Sequence, residues 1–165
     1  MPDVAVDLYN KYKSILEKYL KGEDILYTLI LKIYAYKVNK SQDVKYMKDA
    51  IEYCRELMEY IPYDIRVNKM NMVLQMSALY HRNIGYYDDA IEEYKEVLKN
   101  IENIDNKLYV ICQISSILYM EKNYYNMWKI LKEGKKIVDN TDANDDITSE
   151  FYNMYGLCYF KMGRV

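Results

Sequence analysis

The sequence predicts an all-α fold of about eight helices, arranged as a superhelix of antiparallel helix pairs. Only 5 Gly and 2 Pro occur in 165 residues, too few turn formers for the many hairpins of an all-β sandwich. Hydrophobic residues make up 51% and charged residues 29% of the chain, the composition of a globular domain with a sizeable core. Apolar residues also recur at helical spacing, and one such pattern returns along the chain.

This spacing and the positions of Gly, Pro and Asn divide the chain into helices. A leading helix covers about residues 3–20, within a leading segment 1–22. Three pairs follow, at about 23–39 with 43–61, 64–83 with 86–101, and 105–121 with 124–138. A lone helix covers 147–162. The predicted repeats are 23–62, 64–101, 105–138 and a half repeat at 147–165.

The clearest copy of the repeated pattern is "GYYDDAIEEYKEVLKN", in the second helix of the middle pair. Gly85 ends the preceding helix and Asp88 suits the first turn of the next. Ala90, Tyr94 and Val97 share one helical face. The same spacing returns as Ala50, Cys54 and Leu57, and as Met127, Leu131 and Gly134. The leading residues are 40 and 37 positions apart, a period that indicates stacked two-helix units.

The first helices of the second and third pairs and the lone last helix carry a small residue directly after an apolar or small one. The sets are Leu74, Ser77, Ala78 and His81; Ile111, Ile114, Ser115 and Leu118; and Tyr152, Tyr155, Gly156 and Tyr159. We expect the small residue to let a second helix approach closely.

These residues resemble the tetratricopeptide repeat over roughly residues 25–165. Its pattern has a large residue, a Leu-Gly pair and a Tyr in the first helix, then a small residue, an aromatic and a Pro in the second. Tyr152, Tyr155-Gly156 and Tyr159 match the first helix, and Ala50, Ala90, Tyr94 and Pro62 match the second. The periods exceed the usual 34 and Met127 replaces a small residue, so HEAT-like helix pairs are the alternative fold.

Long helices with long periods also occur in the peptide-sensing domains of Gram-positive quorum-sensing regulators, the Rap, NprR, PlcR and PrgX group. The chain is similar to these domains only in its repeats. The leading 22 residues are too short for the helix-turn-helix that precedes the repeats in the DNA-binding members.

The resemblance implies a concave surface, lined by the first helix of each pair, that binds an extended peptide or a partner helix. The positions facing it are Gln75, Leu79, Arg82 and Asn83, then Tyr109, Cys112, Ser116 and Tyr119, and finally Asn153 and Phe160. Amides can pair with a peptide backbone, Arg82 can bind a carboxylate, and the aromatic rings can form apolar walls. Ordinary packing or solvation explains each position taken singly.

Other classes of function have little support. The net charge is −2 and no Lys/Arg run occurs, so we expect no direct nucleic-acid contact. The amino-terminal segment lacks an apolar signal-peptide core, and "ILYTLILKIYAY" is too short to span a bilayer. We therefore expect a cytoplasmic protein with no membrane contact.

No group of residues indicates catalysis, a cofactor or a metal. The three cysteines form no CxxC pair, and we expect them to be half-buried in a reducing compartment. His81 has no recognisable nucleophile partner. The stretch Asp139–Asp146 lacks the Gly and the final Glu of a calcium loop, so we expect an interhelical loop that places negative charge at the next helix.

We therefore expect a non-enzymatic module that binds a peptide or protein, such as the sensor or interaction part of a bacterial transcriptional or signalling regulator. The alternative is a structural self-association domain without a separate ligand. The last helix is apolar nearly all round and needs cover. We expect either a homo-oligomer formed through this helix or a longer repeat array.

Overall fold

The computed structural model describes residues 2–19, 24–61 and 63–163. The described ranges contain eight α-helices and no strand: α1 (Pro2–Tyr19), α2 (Asp24–Lys40), α3 (Val44–Glu59), α4 (Tyr63–Asn83), α5 (Tyr87–Asn100), α6 (Ile104–Met120), α7 (Tyr124–Val138) and α8 (Asp145–Lys161). The predicted all-α fold of about eight helices is confirmed, and the helix ends in these ranges lie within two residues of the predicted ones. The predicted boundaries at 20–23 and at Pro62 lie outside the described residues.

Polar side chains set where the helices begin. An Asp or Asn precedes each of α3, α6, α7 and α8, and its side-chain oxygen accepts hydrogen bonds from backbone N–H groups of the first turn. These N–H groups have no partner within the helix, so such a cap stabilises it by about 1 kcal/mol. The capping residues are Asp43, Asn103, Asn123 and Asn144.

The ends of α4, α6 and α8 share one backbone conformation. Gly85, Lys122 and Gly163 follow these helices with φ of +83°, +59° and +64°. The Tyr86 N–H donates to the His81 carbonyl at 2.9 Å, and the Asn123 N–H donates to that of Leu118 at 2.8 Å. This left-handed closure is a common way to end a helix. The prediction that Gly85 ends the helix before α5 is therefore confirmed.

The chain divides into two compact units between Tyr86 and Tyr87. In the first unit, α1 packs on α2, while α3 packs on α2 and α4, which also contact each other. Lys69 of α4 lies 2.9 Å from a carboxylate oxygen of Asp24 at the start of α2. The Asn83 amide at the end of α4 donates to the Met47 sulfur near the start of α3 at 3.6 Å. These contacts make α2 and α4 parallel and α3 antiparallel to them.

The second unit repeats this packing with α5 to α8. Here α5 packs on α6, while α7 packs on α6 and α8, which also contact each other. The Asn144 N–H donates to an Asp105 carboxylate oxygen at 2.9 Å, and the Lys161 ammonium lies 5.8 Å from the Tyr119 ring centroid. The starts of α6 and α8 therefore meet, and so do their ends, so the two helices are parallel. Within each unit, this is the arrangement that stacked helix pairs produce.

The repeated apolar stripes form the buried faces of the second helices. Ala90, Tyr94 and Val97 of α5 are at most 1% exposed, and Met127 and Leu131 of α7 are fully buried. Ala50 and Cys54 of α3 are at most 3% exposed and Leu57 is half-buried. The residues at this spacing therefore form the buried side of each second helix.

The helices of the second unit pack tightly at Gly134 of α7. A Cβ atom built there would stand 2.5 Å from the ring of Phe151 on α8 and 3.2 Å from Ile111 on α6. Only a residue without a side chain fits at this distance, and Phe151 is itself fully buried. Gly134 is therefore the position where α7 meets both parallel helices.

The prediction that a second helix lies close to Gly156 is wrong for the described residues. A Cβ atom at Gly156 would meet nothing within 4 Å, and Tyr152 on the same face is 44% exposed. The buried side of α8 is formed by Phe151 and Cys158 instead. The equivalent small residues Ala78 and Ser115 are fully buried, so the difference is confined to the last helix.

Candidate functional site

Six of the ten predicted ligand-binding residues lie in the second unit, on the parallel helices α6 and α8. We call their surface the α6–α8 face and define it by Tyr109, Ser116, Tyr119, Asn153 and Phe160. Phe160 is 66% exposed, Asn153 is exposed, and the other three residues are half-buried. The Lys161 ammonium lies 5.8 Å from the Tyr119 ring centroid and 5.9 Å from that of Phe160, so these two rings lie close together at the carboxy-terminal end of the two helices.

Cys112, the sixth residue, lies in the core of the second unit. It is 1% exposed, and burial together with the nearby Glu150 raises the pKa of its thiol to about 12. A ligand on the α6–α8 face therefore does not reach this thiol, and the prediction that Cys112 contacts a ligand is not supported by its placement. The helical spacing alone could not separate it from its neighbours Tyr109 and Ser116.

An open cleft of about 320 Å³ lies at the amino-terminal end of the α6–α8 face, between the first two turns of each helix. We call it the amino-terminal cleft. Its lining residues are Asp105, Asn106, Tyr109, Asn144, Asp146, Ile147 and Glu150. The caps Asn103 and Asn144 fix where both helices begin, and they thereby place these side chains at the same level.

The amino-terminal cleft carries net negative charge. Asp105, Asp146 and Glu150 supply three carboxylates, and the described lining includes no basic residue. Each helix amino terminus contributes only about half a positive charge, so the two termini do not neutralise the carboxylates. The cleft can therefore accept a cation, and the Tyr109 ring offers it an aromatic face.

The other four predicted residues, Gln75, Leu79, Arg82 and Asn83, lie on α4 in the first unit. Gln75, Leu79 and Arg82 are half-buried, and Leu79 packs against the core formed by α2, α3 and α4. Asn83 is exposed and its amide already donates to the Met47 sulfur. Part of this predicted surface thus serves the packing of α3 on α4.

Two further hollows were not predicted. One, of about 520 Å³, lies over α6 between α5 and α7, with Ile91, Ile114, Leu118 and Ile130 among its apolar lining. The other, of about 570 Å³, is lined by residues of α1, α2 and α3, including Lys18, Tyr27 and Tyr53. Sequence periodicity identifies which face of a helix is apolar, but it does not give the distance between two neighbouring helices.

Within residues 2–19, 24–61 and 63–163, no group of three or more His, Cys, Asp or Glu side chains could hold a metal ion. In those ranges, every helix is too short or too polar to cross a membrane.

Comparisons of the chain with protein-family models, curated proteins and solved structures find no match. The likeness to tetratricopeptide repeats therefore rests on the motif residues of this sequence.

Because two thiols are buried, we expect the protein to lose stability at alkaline pH. Burial raises the pKa of Cys54 and of Cys112 from about 9 to about 12. Above pH 9 the unfolded thiols ionise while the folded ones keep their protons, so the unfolded state binds fewer protons. The free energy of unfolding should then fall by roughly 1.4 kcal/mol per pH unit for each thiol.

Urea unfolding at pH 8 and pH 10 measures this loss. A variant with Cys54→Ala and Cys112→Ala should lose less stability between the two pH values than the unsubstituted chain does. An equal loss in both proteins would contradict the effect of burial on these thiols.

Proposed function

We propose that this chain is a non-enzymatic binding module whose α6–α8 face takes an extended peptide or protein segment carrying a basic residue. The observation that carries the proposal is the amino-terminal cleft, where Tyr109 lies among three carboxylates. An arginine or lysine side chain of the ligand matches this lining, since charge-assisted hydrogen bonds to carboxylates are strong and a cation binds an aromatic face.

The rest of the α6–α8 face suits the remainder of such a ligand. The Asn153 amide can donate to and accept from a peptide backbone, and the Ser116 hydroxyl can do the same. Phe160, with two thirds of its surface exposed, supplies an apolar contact. From Asp146 to Phe160 the helix rises about 21 Å, a length that about six residues of extended peptide cover.

We also propose a wider role, which rests on the resemblance of the repeats to peptide-sensing domains. Peptide-sensing repeats act as the sensor or interaction part of bacterial transcriptional and signalling regulators, in the cytoplasm. We propose such a role for this chain, with the peptide or protein as its partner and no direct contact with nucleic acid.

Calorimetry with defined peptides tests the proposal. The probe is a pooled set of hexapeptides that each contain one Arg, and the comparison set carries citrulline, which is uncharged and of nearly the same shape. We expect saturable binding that is about 10- to 100-fold stronger for the Arg set, the range for losing one charge-assisted hydrogen bond.

Isosteric variants of the protein locate the binding. Asp146→Asn combined with Glu150→Gln should remove the preference for Arg, since it neutralises two of the three carboxylates. The control is Asp88→Asn combined with Glu133→Gln, which changes charge equally in the hollow between α5 and α7 and should leave binding unchanged. Absence of saturable binding, or equal affinity for both peptide sets, would refute the proposal.

A further inference from the structure

The hollow of about 570 Å³ in the first unit is bounded by α1, α2 and α3. Both α1 and α3 pack on α2, and we call the space the α1–α3 hollow. Its volume lies within the range of small-molecule binding sites, about 300–1,000 Å³. The residues that line it are Lys18 of α1, Leu26, Tyr27 and Ile30 of α2, Tyr53 and Leu57 of α3, and Tyr60 directly after α3.

The inner side of the α1–α3 hollow is closed and apolar. Leu26, Tyr27 and Ile30 are 4%, 5% and 2% exposed, so α2 forms its floor. Tyr53 and Leu57 of α3 are half-buried and pack against the same cluster of apolar residues, so they form a wall. An alkyl chain placed in the hollow would therefore be removed from water, and each buried methylene would add to its affinity.

The opening of the hollow carries positive charge. Lys18 is exposed and is the one charged residue of the described lining. A second ammonium group, that of Lys13, lies 5.9 Å from the centroid of the Tyr53 ring. Tyr60 is 71% exposed, and a phenol hydroxyl can donate a hydrogen bond to an anion. A negatively charged group at the opening would therefore be stabilised.

The hollow between α5 and α7 has the same place in the second unit but a different charge. In chain order α5, α6 and α7 correspond to α1, α2 and α3, and α5 and α7 both pack on α6. Its lining includes two lysines and three carboxylates, namely Lys95, Lys129, Asp88, Glu121 and Glu133. A single positive charge beside an apolar floor is thus a property of the α1–α3 hollow and not of every space between two second helices.

We propose that the α1–α3 hollow binds a small amphipathic anion, a medium-chain carboxylate whose alkyl chain lies against α2 and whose head meets Lys18. Leu26, Ile30 and Leu57 have no polar side-chain group, so they suit the alkyl chain. The ammonium of Lys18 carries one charge and matches the single charge of a carboxylate, with which it can form a charge-assisted hydrogen bond. A ligand with a cationic head would bring like charges together at the opening.

Calorimetric titration with octanoate, hexanoate and octylammonium tests the chemistry of the ligand. We expect saturable binding of octanoate. Hexanoate, which is two methylenes shorter, should bind about 15-fold more weakly, since each buried methylene changes the affinity about fourfold. Octylammonium has the same chain and the opposite charge, and it should bind about tenfold more weakly than octanoate because attraction to an exposed ammonium is replaced by repulsion.

Lys18→Gln tests the role of the ammonium group. This variant should bind octanoate and octylammonium with similar affinity. The control is Lys11→Gln on the same helix, because Lys11 is also exposed and does not line the hollow. The two lysines have matching surroundings, since Lys11 lies 5.2 Å from the Tyr12 ring centroid and Lys18 lies 5.4 Å from that of Tyr19. The control should keep the full preference for octanoate.

Leu57→Trp tests the location of the alkyl chain. Leu57 is half-buried, so a larger side chain can extend into the hollow and should abolish octanoate binding, while urea unfolding checks that the variant is folded. The control Ile130→Trp fills the hollow between α5 and α7 and should leave octanoate binding unchanged. Absence of saturable octanoate binding, equal affinity for octanoate and octylammonium, or full binding by folded Leu57→Trp would overturn the proposal. None of these results depends on whether the α6–α8 face binds peptides.

Discussion

Replacement of Phe151 by Ala is expected to lower the free energy of unfolding by about 3–5 kcal/mol, the range for removing a buried aromatic ring. Phe151 is fully buried, and its ring lies 5.6 Å from that of Tyr152 and 5.8 Å from that of Tyr155. It also fills the space that Gly134 leaves open on α7. Its loss would leave a cavity between α7 and α8 that rigid helix backbones cannot close.

Urea unfolding measured by circular dichroism gives the value, and the chain contains its own control. The sequence has 2 Phe, and the other, Phe160, lies in the same helix but is 66% exposed. Phe160→Ala should change stability by no more than about 0.5 kcal/mol, as exposed substitutions usually do. Similar losses for the two variants would contradict the burial of Phe151 against α7.

Gly134→Ala is expected to destabilise the chain by about 1–3 kcal/mol, although Ala favours helices by about 1 kcal/mol over Gly. The new methyl group would stand 2.5 Å from a ring carbon of Phe151 and 3.2 Å from a methyl carbon of Ile111. Neither neighbour can move freely, because Phe151 is fully buried and Ile111 is 3% exposed. The helices must therefore separate, and the loss of packing exceeds the gain in propensity.

The matched control is Gly156→Ala in dilute protein. Gly156 lies in a helix, but a Cβ atom there would meet nothing within 4 Å, so this substitution should stabilise the chain by about 0.5–1 kcal/mol. Combining Gly134→Ala with Phe151→Leu should cost less than the sum of the two single changes, since Leu lacks the ring edge that the methyl group meets. Additive losses would show that the two residues do not touch.

The helices themselves were predictable because their signals are local. Apolar spacing, Gly85 and the Asx residues before α3, α6, α7 and α8 act within a few residues of the positions that they control, and the helix ends follow from them. The spacing of Ala90, Tyr94 and Val97, which form a buried stripe, is such a local signal. Whether another helix covers the outside of α8 was not predictable, because the small residue Gly156 is compatible with both a covered and an exposed position.

The candidate site was predictable only in part. Helical spacing places Tyr109, Asn153 and Phe160 on the first helices of the repeats, and the structure has them on α6 and α8. Helical spacing could not show that Cys112 is buried. Side chains three positions apart on a helix differ in direction by about 60° around its axis, and an apolar residue is compatible with either direction. The amino-terminal cleft was missed since Asp105 and Asp146 are 41 residues apart and meet only because α6 and α8 are parallel.

The packing order within each unit also governs how the chain folds. In each unit, the described helices make their main contacts with helices one or two places away along the sequence. Contacts between neighbouring helices close short loops, and those between α2 and α4 or between α6 and α8 span one intervening helix. The entropy lost in closing these loops is modest, and assembly belongs to the fast class of helical proteins. During synthesis, α1 to α4 can make their contacts within the unit before Tyr87 leaves the ribosome. The first unit can therefore bury its apolar residues while the second is still being made.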